Sequence, residues 1–169
     1  MTNPCEMAEF FGFTEDEVKM LCAQYGRSFE ETKAWYDGYE LITVEENHKK
    51  IYSMYSPKSV VDAMLSGVFD NYWNQTETYE ALKTYIRLNY DGLKDAVVKM
   101  LGGGKVQINT GTFSNDMTTF QGKDDVLTLL VHLGYLSYHW PDKTVHIPNK
   151  EVSQESLGGV WRRNCECMN

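Results

Sequence analysis

The 169-residue chain is 42% hydrophobic and 13% aromatic, enough apolar surface for one ordinary domain or two small ones and too much for a disordered segment. A formal charge of −8 argues against a generic nucleic-acid surface, because phosphate binding needs clustered Lys and Arg and the longest basic runs are Lys49-Lys50 and Arg162-Arg163. No apolar run reaches the roughly 18 residues of a membrane span, and the start of the chain lacks a basic-then-apolar signal pattern, so a reduced, cytoplasmic setting is expected.

The first predicted helix starts at Thr14, with Glu17 completing a capping box, and presents Val18, Leu21, Cys22 and Tyr25 on one face before Gly26. Cys22 reads as a small buried thiol. Ser28 with Glu31 opens a second helix that runs into Trp35-Tyr36-Asp37-Gly38-Tyr39, where three aromatics within five residues mark a core anchor at a helix-to-strand junction. Tyr39 to Thr43 and Ile51 to Tyr55 predict a hairpin, with Glu45 to Lys50 as its polar turn. Ser56-Pro57 supplies an N-cap and first-turn proline for a third helix, stopped by Gly67.

Phe69 to Thr76 reads as an aromatic loop, followed by a helix through Leu82, Tyr85, Ile86 and Asn89 with Thr76 as its cap. Asp91-Gly92 breaks that helix, and Leu93, Ala96, Val97, Met100 and Leu101 define the next, ended by Gly102-Gly103-Gly104. Those glycines precede a strand-like run, Val106, Ile108 and Thr110, and lack the Lys-Ser or Lys-Thr of a phosphate loop. Asp124-Asp125 leads a helix that is apolar nearly all round through Leu133, with Gly134 as its stop. Tyr135 to Trp140 and Thr144 to Ile147 predict a second hairpin, and Asn149 caps a last helix from Lys150.

The fold class expected is α+β and mainly helical. A helical subdomain with a hairpin near 39–55, lid-like by the resemblance given below, occupies 1–90, a winged-helix-like subdomain with a small antiparallel sheet occupies 91–155, and 156–169 form a tail that departs from the same resemblance. In a DNA-binding winged helix the third helix carries polar and basic residues into the major groove, whereas Asp124 to Leu133 is built for burial.

Chemistry-bearing motifs are sparse. His139 and His146 are placed to face one another across the last hairpin, and cross-strand pairing on a solvated face explains them better than a metal. Cys165 and Cys167 lack the usual zinc spacing, and Asp37 is accounted for by Asp-Gly turn geometry. Glu30-Glu31, Glu45-Glu46 and Asp124-Asp125 read as solvated or first-turn charges. Walker A, Rossmann and Gly-x-Ser-x-Gly patterns are missing from the sequence, so no catalytic, cofactor-binding or metal-binding residue is assigned.

Several blocks carry a family resemblance. They are Phe11-Gly12-Phe13-Thr14 with Glu17-Val18, Trp35 to Tyr39, Tyr55-Ser56-Pro57 with Ser59-Val60, Gly67-Val68-Phe69 with Asn71-Tyr72-Trp73 and Thr76, Leu129-Leu130 with Gly134-Tyr135-Leu136, and Ile147 to Val152. In this order, over residues 10 to 152, they resemble the middle of bacterial AAA-ATPase-like proteins that carry a C-terminal PD-(D/E)xK nuclease-like domain. The resemblance implies a lid plus winged-helix-like portion of a larger ATPase, without the upstream phosphate loop and Mg-binding strand or the downstream nuclease-like domain. ATP and Mg then belong to the parent family, and this chain is not itself an enzyme. Its expected partner is the ATPase core or another protein surface, with a homodimer as an alternative cover for the same apolar patch. A nucleic-acid-binding winged helix and a stand-alone interaction domain are the competing readings. The motif residues assigned a structural or interdomain role are Trp35, Tyr36, Asp37, Gly38, Tyr39, Tyr55, Pro57, Asn71, Tyr72, Trp73, Gly134 and Tyr135.

Overall fold

A computed structural model describes residues 12–45, 48–72, 84–113 and 120–154. The protein is α+β and mainly helical, with two small antiparallel sheets of three strands each. Its described residues form two compact units, one taking 12–45, 48–72 and Pro148–Val152, the other 84–113, 120–147 and 153–154. Trp73, the expected cap Thr76, Cys5, Cys165, Cys167 and the 156–169 tail lie outside the described residues.

In the first unit, β1 (Phe13–Thr14) leads directly into α1 (Glu15–Tyr25). Thr14 accepts the Glu17 N–H at 3.4 Å while its own N–H donates to Glu17 Oε2 at 2.8 Å, the reciprocal bonds of a capping box. The chain reverses at Gly26, left-handed at φ 64°, with the Arg27 N–H donating to the Cys22 carbonyl at 2.9 Å. Ser28 Oγ accepts the Glu31 N–H at 3.2 Å and opens α2 (Phe29–Tyr36). After α2 come β2 (Tyr39–Glu45), β3 (His48–Tyr55) and α3 (Pro57–Ser66).

The hairpin is longer than its apolar pattern suggests. Its ladder continues through Thr43↔Lys50 to Glu45↔His48, because backbone pairing does not require apolar side chains. The sequence pattern also misses β1, which pairs Phe13 with Tyr55 and Thr14 with Met54 and makes the sheet order β1-β3-β2. Ser56 has the extended backbone of an N-cap but makes no side-chain capping bond; it accepts instead from Ser59 Oγ at 3.2 Å. Val18 and Cys22 of α1, Trp35 and Tyr36 of α2, Tyr55 of β3, and Val60, Ala63 and Met64 of α3 form one buried cluster. Cys22 is buried as expected, its thiol 3.3 Å from Thr32 Oγ1.

The second unit holds helical residues 84–87, a tight turn at Tyr90–Gly92, and α4 (Leu93–Leu101). It continues with β4 (Val106–Gln107), α5 (Lys123–His132), β5 (Ser137–His139) and β6 (Thr144–His146). The sheet order is β4-β6-β5. The expected strand over Val106 to Thr110 stops at Gln107, since Asn109 Oδ1 accepts the Gly111 N–H at 3.1 Å and folds Thr110–Thr112 into a 3-10 turn. Both strands of the last hairpin are also shorter than expected. Gly134, at φ 80°, lets the Tyr135 N–H reach the Leu130 carbonyl at 2.9 Å, and that helix-stop geometry holds Tyr135 and Leu136 out of the ladder.

Asp125 departs from the solvated reading. It is only 4% exposed and accepts both the Gln121 N–H and Thr112 Oγ1 at 2.8 Å, so a first-turn charge is buried to tie the preceding loop to α5. Asp91, left-handed at φ 49°, accepts the Lys123 N–H at 3.0 Å and supplies the cap that Gly122 lacks. Asp125→Ala strands two donors and should cost about 3 kcal/mol in urea unfolding, whereas Asp125→Asn, which keeps an acceptor, should cost less than half of that.

Candidate functional site

Of the sequence-predicted motif residues, Trp35, Gly38 and Tyr72 meet one short returning segment. Trp35 and Tyr36 end α2 and are 8% and 0% exposed, while the Asp37 N–H caps the helix by donating to the Lys33 carbonyl at 3.1 Å. The Asp37 carboxylate accepts the Gly38 N–H at 2.7 Å and also the Ser53 hydroxyl. These bonds commit the carboxylate to the helix-to-strand turn. Tyr39 pairs with Met54, Tyr55 with Phe13, and Pro57 forms the first turn of α3.

Pro148–Val152, which includes the short helix α6 (Lys150–Val152), packs on this motif. Gly38 sits at φ 118°, and a Cβ there would lie 1.9 Å from the Pro148 carbonyl oxygen. Only glycine permits that approach. The Lys150 ammonium lies 4.2 Å from the centre of the Trp35 ring, a cation–π contact worth roughly 0.5–1 kcal/mol at an exposed site. The Glu151 side chain is fully buried and accepts the Tyr72 N–H at 2.8 Å, a charge-assisted bond worth roughly 1.5–3 kcal/mol. The Asn149 carboxamide oxygen accepts the Val152 N–H at 3.0 Å, as its capping role requires.

The loop after α3 is held from several directions. The Tyr36 hydroxyl donates to the Asp70 carbonyl at 3.0 Å and accepts the Asp70 N–H at 3.2 Å. The Asn71 N–H donates to the Asp70 carboxylate at 2.8 Å, Lys58 Nζ donates to the Tyr72 carbonyl at 2.8 Å, and the Tyr72 hydroxyl donates to the Val68 carbonyl at 2.8 Å. Burial pushes the Tyr36 hydroxyl pKa well above the usual tyrosine value, the Asp70 backbone opposing and the Glu151 charge adding to the shift. Burial also raises that of Tyr55, helped by the Asp37 charge, and the Tyr55 hydroxyl meets no hydrogen-bond partner among the described residues.

Gly134 and Tyr135 fall in the second unit, at the C-terminal end of α5, apart from the motif in the first. The expected pairing of the two histidines is corrected by register: His139 opposes Thr144 and His146 opposes Ser137, so the two are diagonal on one face. His139 Nε2 lies 3.4 Å from Asp142 Oδ2. Among the described residues no group of three His, Cys, Asp or Glu has the geometry to hold a metal ion. An open polar cleft of about 490 Å³ is lined by Gln107, Ile108, Asn109, Asp124 and Lys143, but the Asp124 carboxylate there accepts the Asn109 N–H at 2.9 Å and serves the loop.

Lys150 and Glu151 were not singled out by residue type. They lie more than a hundred positions beyond Trp35, where the sequence marks Lys150 only as the start of a last helix and both residues only as part of the block from Ile147 to Val152. Comparison with known protein families, curated proteins and solved structures finds no match. The arrangement holds a short returning segment through a glycine cleft at Pro148, an aromatic face at Lys150 and a backbone N–H at Glu151.

Gly38→Ala should cost about 3 kcal/mol or more in denaturant unfolding, from collision with Pro148 added to positive-φ strain. Tyr36→Phe should cost about 1 kcal/mol at neutral pH, whereas Tyr55→Phe, which removes an unpartnered buried hydroxyl, should be neutral or stabilising. Both folded-state pKa values stand above the unfolded value of about 10, so the stability linked to them is complete below that pH and is lost as pH rises beyond it. Alkaline unfolding curves should be shallower above about pH 10 in the double Phe variant.

Proposed function

We propose that this chain acts as a non-catalytic lid-like and winged-helix-like portion of a larger AAA-ATPase-like protein, docking on that protein's nucleotide-binding core. The observation that carries the reading is the two-sided apolar character of α3. Val60, Ala63 and Met64 are buried in the first unit, while Val61 and Leu65, neighbours one turn apart, are 38% and 65% exposed and Val68 just beyond is 55% exposed. An exposed apolar stripe on a helix whose other face is already buried fits a protein-binding surface. The packing tasks of Trp35, Tyr36, Asp37 and Gly38 support a structural role for the motif, one of the blocks that carry the family resemblance.

The order β4-β6-β5 beside α4 and α5 supports the winged-helix-like description of the second unit. Its use for reading DNA through α5 is opposed by burial of every residue from Asp125 to Val131 and by the charge of −8. The lid reading locates ATP and Mg in the parent protein. Titration calorimetry of this chain with Mg-ATP should therefore give no binding heat, and micromolar binding accompanied by turnover would overturn the proposal.

Among the described residues no helix is long and apolar enough to cross a membrane.

A further inference from the structure

We propose that Asp37-Gly38 is a site of covalent self-modification, where the Gly38 nitrogen closes on the Asp37 side chain to give a succinimide and then an isoaspartyl link. The chain's other Asp-Gly pair, Asp91-Gly92, is protected by its fold. The inference does not depend on the ATPase reading. In the first step a bond forms between Gly38 N and Asp37 Cγ, and one Cγ–O bond of the protonated carboxyl breaks. The departing hydroxyl takes the Gly38 amide proton and leaves as water. Water then adds back at the main-chain carbonyl carbon of Asp37, the ring opens there, and the chain runs on through Cγ. Only water is released and taken up.

The turn brings the reacting groups together. Gly38 N–H donates to Asp37 Oδ1 at 2.7 Å, so the attacking nitrogen is held against the carboxyl whose carbon it must reach. The Ser53 hydroxyl donates to the same oxygen and fixes the orientation of the carboxyl. Ser53 is exposed and Asp37 half-buried, which leaves the turn open to water.

Asp91-Gly92 carries the same preceding residue, since both pairs read Tyr-Asp-Gly, but has the opposite geometry. Its carboxylate accepts the Lys123 N–H at 3.0 Å, and Gly92 N–H donates to the Asn89 carbonyl at 3.2 Å, so each reacting group is engaged elsewhere. Asp91 is also left-handed at φ 49° and ψ 36°, which brings its carbonyl oxygen toward Cβ and turns the Gly92 nitrogen to the far side. Asp37 is extended at φ −76° and ψ 168°, and closes its ring with a smaller rotation about the Cα–C bond.

The product adds one carbon to the main chain between α2 and β2. That is the point where the Asp37 N–H caps α2 and Gly38 has no room for a Cβ beside the Pro148 carbonyl. Isomerisation therefore loosens a helix end and a close packing contact at once.

The test ages the wild-type full chain in neutral buffer and follows its tryptic peptides Ala34–Lys49 and Leu88–Lys94, each of which holds one Asp-Gly pair. An isomer of unchanged mass, methylated by an L-isoaspartyl methyltransferase, should accumulate about tenfold or more faster in the first peptide than in the second. In denaturant, where neither turn persists, the two rates should agree within about threefold. Equal native rates, a faster rate at Asp91, or no native isomer while the denatured chain reacts overturns the proposal. Ser53→Ala, in a chain that keeps the wild-type circular dichroism, should slow isomerisation at Asp37 by about threefold or more. An unchanged rate there overturns the positioning role of Ser53, and if the variant unfolds the wild-type comparison decides by itself.

Discussion

The bond between the buried Glu151 carboxylate and the Tyr72 N–H governs how the first unit is completed. A carboxylate taken out of water must find strong donors, and here the donor is a backbone group in the loop behind α3. That loop is itself fastened to α2 through the Tyr36 hydroxyl, which bonds both polar backbone groups of Asp70. One chain of polar contacts therefore runs from the end of α2 through the Asp70 to Tyr72 loop to α6. The aromatic cluster beneath it supplies the apolar burial, while the polar chain fixes which segment lies on top.

The cation–π contact, the charge-assisted bond and burial of Val152 together contribute roughly 3.5–7 kcal/mol. Val18, Tyr36, Val60 and Met64 of α1 to α3 are each at most 2% exposed, and Glu151 and Val152 are as fully buried.

What the sequence reveals follows the range of the forces involved. The capping box at Thr14 and Glu17, the Ser28 cap, the stops at Gly26 and Gly67, and the buried Cys22 are all legible because partners lie within a few residues or on one helical face. The hairpin is legible where side chains alternate and illegible where only backbone pairing continues, from Thr43 to Glu45. Strand β1 is two residues long and carries no periodic signal. Burial of Asp125 depends on Gln121 and Thr112, and the cap on α5 depends on Asp91, so first-turn charges that look solvated become parts of a packed loop. The candidate site divides in the same way: its aromatic half is written locally from Trp35 to Tyr39, whereas Lys150 and Glu151 become meaningful only once the chain has returned.

That return has a temporal side during synthesis. The pieces of the first unit up to Tyr72 are made before the 75 residues that separate them from Pro148, and at ordinary elongation rates of about 5–20 residues per second this is an interval of roughly 4–15 s. Throughout it the Trp35 ring and the Gly38 cleft are complete in covalent structure yet lack the segment that covers them. A nascent chain thus displays for seconds a surface that the finished molecule keeps covered, and chains growing side by side on one message display it to each other.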